Sequence, residues 1–164
     1  MREKKILIVS DTHGRCENLE KVLYMEAPID MMIHCGDVEG DEDYFEALAD
    51  VPCYMVSGNN DFFSDLPREE EFILGEKRVL VTHGHYYGVS LGIEGILDEA
   101  RSRGVQIVCF GHTHRPVVYE EDGVTAVNPG SLSYPRQIGR KPSYIVLDIN
   151  SKGEFAFEIK FLGR

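Results

Sequence analysis

The chain has 164 residues, 43% hydrophobic and 27% charged, with a net charge of −11 at pH 7. That length suits one domain, residues 1–164, with a sizeable core, and the acidic balance argues against a groove for long nucleic acid or an acidic membrane surface. No stretch approaches the roughly 18 apolar residues of a membrane span, Met1 to Lys5 runs into a strand without a signal-peptide pattern, and Cys16, Cys35, Cys53 and Cys109 show no C-x-x-C spacing, so a reduced, cytoplasmic setting is expected.

Residues 5–10 are apolar on both faces and read as a central strand. It ends at Asp11-Thr12-His13-Gly14. Residues 18–26 form a helix with Leu19, Val22 and Leu23 on one stripe, and Pro28 closes it. A second strand, 31–35, ends at Gly36-Asp37. The acidic Asp41-Glu42-Asp43 suits the start of a second helix through 44–48. A third strand, 54–56, ends at Ser57-Gly58-Asn59-Asn60-Asp61. The pattern then changes. Residues 71–74 and 78–82 flank Gly75-Glu76-Lys77 as a hairpin, and its second strand ends at His83-Gly84-His85. A helix follows over 93–103. The apolar run 105–110 is a buried strand that ends at Gly111-His112-Thr113-His114-Arg115-Pro116. Another hairpin, 117–119 with 124–127, turns at Asp122-Gly123, and 144–149 pairs with 155–161. Strand–helix alternation in the first half implies parallel strands, whereas the second half is mostly hairpins. Two sheets packed face to face with helices outside satisfy both, an α/β architecture.

Five strand ends thus carry Asp11 with His13, Asp37, Asn59, His83, and His112 with His114. If the parallel strands point one way, these ends meet at one edge. Mixed nitrogen and oxygen donors without thiolate suit Mn²⁺, Fe²⁺, Zn²⁺ or Ni²⁺. Seven ligand-type side chains exceed the needs of one ion that must also bind substrate. They suit two divalent ions sharing a carboxylate, the clamp used in phosphoryl chemistry. Two such ions with two aspartates keep two positive charges. A bridging hydroxide leaves one, still enough to attract an anionic ester.

The blocks Asp11-x-His13, Gly36-Asp37, Gly58-Asn59-x-Asp61, His83-Gly84-His85 and Gly111-His112-x-His114 resemble those of the calcineurin-like metallophosphoesterases. The short length and loop sequences resemble the small YfcE-type phosphodiesterase subgroup. The likeness covers about residues 5–149. It implies a four-layer α/β/β/α sandwich of two mixed β-sheets flanked by helices. It implies that Asp11, His13, Asp37 and His114 hold one ion and Asp37, Asn59, His83 and His112 the other, with Mn²⁺ the first choice. Asp37, Asn59 and Asp61 become candidate catalytic residues. The expected reaction is hydrolysis of a small phosphodiester by a metal-bridging hydroxide. Many relatives place a histidine where this chain has Asn60. An amide cannot deliver a proton, so general-acid help worth roughly 10²–10⁴-fold must come from elsewhere or be absent.

Asn60, His85 and Arg115 are candidate substrate contacts. His85 also reads as a solvent-facing loop residue, and Arg115 as a surface ion pair. Asp61 reads equally as a residue orienting a ligand or as a turn residue. His34 reads as a core histidine, Asn128-Pro129-Gly130-Ser131 as a structural turn, and the acidic runs 41–43 and 69–71 as solvated surface. Two competing functions remain open: a protein-binding scaffold, as in the retromer relative of this fold, and a nuclease on short oligonucleotides. The physiological substrate is not legible, and the oligomeric state is open, a homo-oligomer included.

Overall fold

The computed structural model describes residues 2–137 and 139–163. Its elements follow the order β1 (Lys4–Val9), α1 (Glu17–Glu26), β2 (Met31–His34), α2 (Glu42–Ala49), β3 (Cys53–Met55), β4 (Glu69–Leu74), β5 (Lys77–Thr82), α3 (Glu94–Arg103), β6 (Ile107–Cys109), β7 (Pro116–Glu121), β8 (Val124–Pro129), β9 (Ser143–Ile149) and β10 (Phe155–Phe161). A short 3₁₀ turn, His85–Tyr87, follows β5. The first sheet has the order β10-β9-β1-β2-β3 and the second β4-β5-β6-β8-β7. In each, three neighbouring strands are parallel: β1, β2 and β3 in the first, β5, β6 and β8 in the second. Hairpin partners add the antiparallel edges.

The alternation of side chains along each strand sorts the core into layers. From β1, Ile6 and Ile8 point between the sheets, where they meet Val79 and Val81 of β5, Ile107 and Cys109 of β6, and Val127. The intervening Leu7 and Val9 point outward under α1 and α2, onto Leu19, Val22, Leu23 and Phe45. Leu80, Val108 and Ala126 do the same for α3, against Ile96, Leu97 and Ala100. The result is the expected α/β/β/α sandwich. Among the described residues, no helix is long and apolar enough to cross a membrane.

One expectation needs correction. The acidic run 69–71 is not merely solvated surface. β4 begins at Glu69, whose carboxylate pairs with Arg103 at 2.8 Å and accepts from the Tyr87 hydroxyl. Cys53 is only half-buried, whereas Cys35 and Cys109 are core residues; all four thiols are free.

One buried ionic contact ties α1 to the first sheet. Glu26, in the last turn of α1, is 5% exposed. It accepts from the Tyr144 hydroxyl of β9 at 2.6 Å and lies 3.0 Å from Lys5 Nζ and 3.2 Å from Lys160 Nζ. Burial opposes its charge, but Tyr144, Lys5 and Lys160 outweigh that and hold its pKa below the ordinary value of 4.5. The stability Glu26 adds is therefore complete above its unfolded value and drains away as pH falls below it. Glu26→Gln is expected to cost about 2 kcal/mol at pH 7. Urea melts should show that deficit shrinking toward pH 3.

Candidate metal centre

The parallel strands of both sheets deliver their C-terminal loops to one edge. The loop after β1 follows the loop after β2 through backbone bonds from Asp11 N to the Gly36 carbonyl (3.0 Å) and from His13 N to the Asp37 carbonyl (2.9 Å). In the second sheet, Gly111 N donates to the His83 carbonyl at 3.0 Å. The two sheets are then stitched at the site itself. His112 N donates to Asp11 Oδ2 at 3.1 Å, and the Ser131 hydroxyl donates to the Asp11 carbonyl at 2.7 Å. Asn128 donates to the Gly111 carbonyl at 3.1 Å. The Asn128–Ser131 turn is thus structural, and what it holds is the site's loops.

Backbone conformation at this edge is unusual. Asp11, His13, Asp37, His112 and His114 all have positive φ, between 49° and 73°. L-residues with a Cβ avoid that region at a cost of roughly 1–2 kcal/mol each, and such outliers concentrate at functional sites. Space is equally tight. A Cβ on Gly58 would lie 2.2 Å from Asp37 Oδ1, and one on Gly111 would lie 2.6 Å from Asp11 Oδ2.

Asp11 Oδ1 lies 3.2 Å from His114 Nε2, 3.6 Å from His13 Nε2 and 3.8 Å from His83 Nε2. Asp37 Oδ2 lies 3.3 Å from His83 Nε2 and 3.7 Å from His13 Nε2. His13 Nε2 and His114 Nε2 face each other at 3.1 Å. These atoms form two groups able to hold an ion, Asp11-His13-His114 and Asp11-Asp37-His83. Separations of about 3–3.5 Å are the ligand–ligand edges expected around an ion with bonds near 2.1 Å. Asp11 Oδ1 and His83 Nε2 are buried and have no hydrogen-bond partner among the described residues, an arrangement that costs free energy unless a cation completes it. The donor set fits a divalent ion.

Each of three histidines is oriented from behind. His83 Nδ1 faces the Cys35 carbonyl at 2.7 Å, His114 Nδ1 the Tyr134 carbonyl at 2.7 Å, and His13 Nδ1 the Glu39 carboxylate at 2.5 Å. An oxygen acceptor on Nδ1 places the proton there and turns the Nε2 lone pair into the cluster. Both carboxylates are likewise held by hydrogen bonds. Asp11 Oδ2 accepts from the Ser10 hydroxyl at 2.5 Å, and Asp37 Oδ1 from Asn60 N at 2.9 Å.

The electrostatics without an ion follow from this packing. Burial disfavours the charge on Asp11, but the imidazoles of His114, His13 and His83 win and hold it well below the usual carboxylate range. Asp37 is lowered for the same reason, chiefly by His83 against its own burial. Conversely, Asp37 and Asp11 overcome desolvation and raise His83 to about 9 and His13 above its ordinary value. Protons on imidazoles stand in for the missing positive charge.

The other candidates divide. Asn59 Oδ1 and His112 Nδ1 face each other at 3.2 Å on the rim, outside the two tight groups. His85 is half-buried rather than a solvent-facing residue; its ring lies 5.4 Å from that of His83 and 6.0 Å from that of His112. Arg115 is exposed and forms no ion pair among the described residues. Asn60 does not point outward to a substrate: its amide donates to Asp37 Oδ2 at 3.0 Å. Asp61 is directed at backbone. Its carboxylate accepts from Asp37 N (2.8 Å), Val38 N (3.2 Å), Glu39 N (2.7 Å) and Gly58 N (2.8 Å), so it positions the Asp37 loop. Burial keeps His34 neutral, with a pKa of about 4. Its Nδ1 accepts from Gly36 N at 3.2 Å and its Nε2 lies 3.0 Å from Thr12 Oγ1, joining the first two loops. Glu39 and Tyr134 escaped the sequence reading; Glu39, two residues past Asp37, is within reach of a search for acids beside the motif.

Backbone strain at His112 is directly testable. With chelator present, His112→Gly should be more stable than His112→Ala by about 1 kcal/mol, because glycine occupies positive φ freely. The reverse order in chemical melts, the usual one for glycine against alanine, would refute the strain.

Comparison with known proteins agrees with this geometry. Residues 5–152 match the calcineurin-like phosphoesterase superfamily domain. A Bacillus subtilis protein named "Probable metallophosphoesterase YsnB" is 37% identical over 147 residues, covering 89% of this chain and 85% of the relative. A Streptococcus pneumoniae structure described as a conserved protein and predicted phosphoesterase superposes with a TM-score of 0.83 at 27% identity, covering 98% of this chain and 91% of that one. The fold is also shared with vacuolar protein sorting 29 from Cryptosporidium parvum, at a TM-score of 0.77, 18% identity and full coverage of both chains. The chain belongs to the calcineurin-like phosphoesterase superfamily and is a metal-dependent phosphoesterase.

Proposed function

We propose that the protein is a dinuclear phosphodiesterase acting on small phosphodiesters. The observation that carries this reading is the pair of ion-holding groups that share the buried Asp11 carboxylate. His13 and His114 complete one group with Asp11. Asp37 and His83 anchor the other, with Asn59 and His112 closing it from the rim. Asp37 Oδ2 reaches a histidine of each group, which supports it as the bridge. Mn²⁺ is the first candidate, with Ni²⁺, Fe²⁺ and Zn²⁺ behind it.

Two bound ions would supply Lewis-acid charge and a water of lowered pKa. The chain's own residues orient and insulate. Glu39, the Cys35 carbonyl and the Tyr134 carbonyl fix three imidazoles, and Asn60 and Asp61 hold the Asp37 loop. Asn60 cannot protonate a leaving group and is turned toward Asp37, so esters with acidic leaving groups should be favoured. His85 and Arg115 border the site as candidate substrate contacts. Scaffold behaviour gains little support: the likeness to vacuolar protein sorting 29 concerns fold alone, and all seven ligand-type side chains are present here.

The test is hydrolysis of bis(p-nitrophenyl) phosphate after chelation and metal restoration. Activity should vanish with chelator and return with Mn²⁺. Asp37→Ala should lose metal and at least about 10²-fold in rate. Turnover by the chelated protein, or an Asp37→Ala protein that keeps both metal and rate, would contradict the proposal.

A further inference from the structure

The arginines of this acidic chain are not distributed at random. Among the described residues, Arg2, Arg78, Arg101 and Arg103 each sit within 3.4 Å of a carboxylate. Among the described residues, Arg15, Arg68, Arg115, Arg136 and Arg140 form no ion pair, although acids outnumber lysines and arginines 28 to 17. All five border the centre. Arg68 lies over the Tyr86 ring, beside His85 and Asn59. Arg15 lies over the Tyr134 ring, which itself packs edge-on against His13. Arg115, Arg136 and Arg140 share one open cavity of about 620 Å³ with His13 and His114. Glu39, Glu42 and Asp61 line a separate, smaller cavity of about 300 Å³.

Three like charges lining one cavity repel each other. No acidic side chain is among the described residues that line the cavity with them. Planar guanidinium groups match phosphate oxygens in pairs of hydrogen bonds. The scissile phosphoryl group belongs at Asp11 and Asp37, so the cavity one step outward from His13 and His114 is placed for a second anionic group.

We propose that Arg115, Arg136 and Arg140 form a subsite for a second phosphoryl group, so that the preferred substrates are small phosphodiesters carrying an additional phosphate. The inference rests on the phosphodiesterase reading for the position of the first phosphate. The net charge of −11 disfavours a long polyanion, so the ligand is a short molecule.

The test uses the full chain loaded with Mn²⁺ and two chromogenic esters, thymidine 5′-(p-nitrophenyl phosphate) and the same ester bearing a 3′-phosphate. Both release p-nitrophenolate from the same diester. The phosphorylated ester should show kcat/KM higher by about tenfold or more, mainly through KM. The preference should collapse to within about twofold in Arg136→Gln/Arg140→Gln and be partly restored in Arg136→Lys/Arg140→Lys, which keeps the charge but not the fork. All positions are exposed, and circular dichroism checks that the variants fold. Equal kcat/KM for the two esters, or a preference that survives the glutamine pair, overturns the subsite. If neither ester turns over, the phosphodiesterase reading fails, and calorimetry decides the subsite alone. Thymidine 3′,5′-bisphosphate should then bind more tightly than thymidine 5′-monophosphate, by a margin lost in the glutamine variant; equal affinities overturn it.

Discussion

A fully buried carboxylate at the seam between two sheets governs this structure. Asp11 sits at the end of a central strand of the first sheet, yet its Oδ2 is held by an amide of the second, from His112. Its Oδ1 faces three imidazole nitrogens delivered by three different loops. A charge in that position is costly without compensation. The two aspartates raise the proton affinity of His13 and His83, which offsets part of the cost, and a divalent cation would offset it more completely. The same atom that makes the fold's edge unstable alone makes it a metal site.

The surrounding backbone is shaped to that end. Five of the seven ligand-type residues have left-handed backbone, and Gly58 and Gly111 leave no room for a Cβ beside the aspartates. Stability lost in the loops is offset by an extensive three-layered core, where nearly every residue of β1, β6 and β9 is buried. Function is therefore concentrated in a strained rim on a rigid sandwich, the usual division between scaffold and site. Arg103 is paired with Glu69 and Glu99, whereas the arginines that share a cavity with His13 and His114 form no ion pair among the described residues.

Much of this was legible in the chain. Short apolar strands ending in glycine beside a ligand-type side chain located Asp11, Asp37, His83 and His114 at one edge, because parallel topology forces strand ends together. The continuous apolar run in 5–10 also marked a central strand buried on both faces. Other features were hidden for physical reasons. Left-handed φ at His112 or Asp37 is set by tertiary packing, since neither residue type announces it as glycine would. Whether Asn60 and Asp61 face outward depends on a loop's path, and here they turn onto Asp37 and its amides. The 3₁₀ turn that tucks His85 against His83 is too short to leave a periodic signal. Arg136 and Arg140 lie far along the chain from the motifs; the signal available was local, a basic stretch from Arg136 to Lys141 in an otherwise acidic sequence.

In the proposed dinuclear centre, residues from both sheets jointly hold a pair of cations around Asp11 and Asp37. Anomalous diffraction from crystals of the full chain grown with Mn²⁺ tests it most directly. The expected result is two peaks about 3.5–4 Å apart, one in contact with Asp11, His13 and His114, the other with Asp37 and His83. A single peak, or peaks that lie beyond reach of both aspartates, would contradict it.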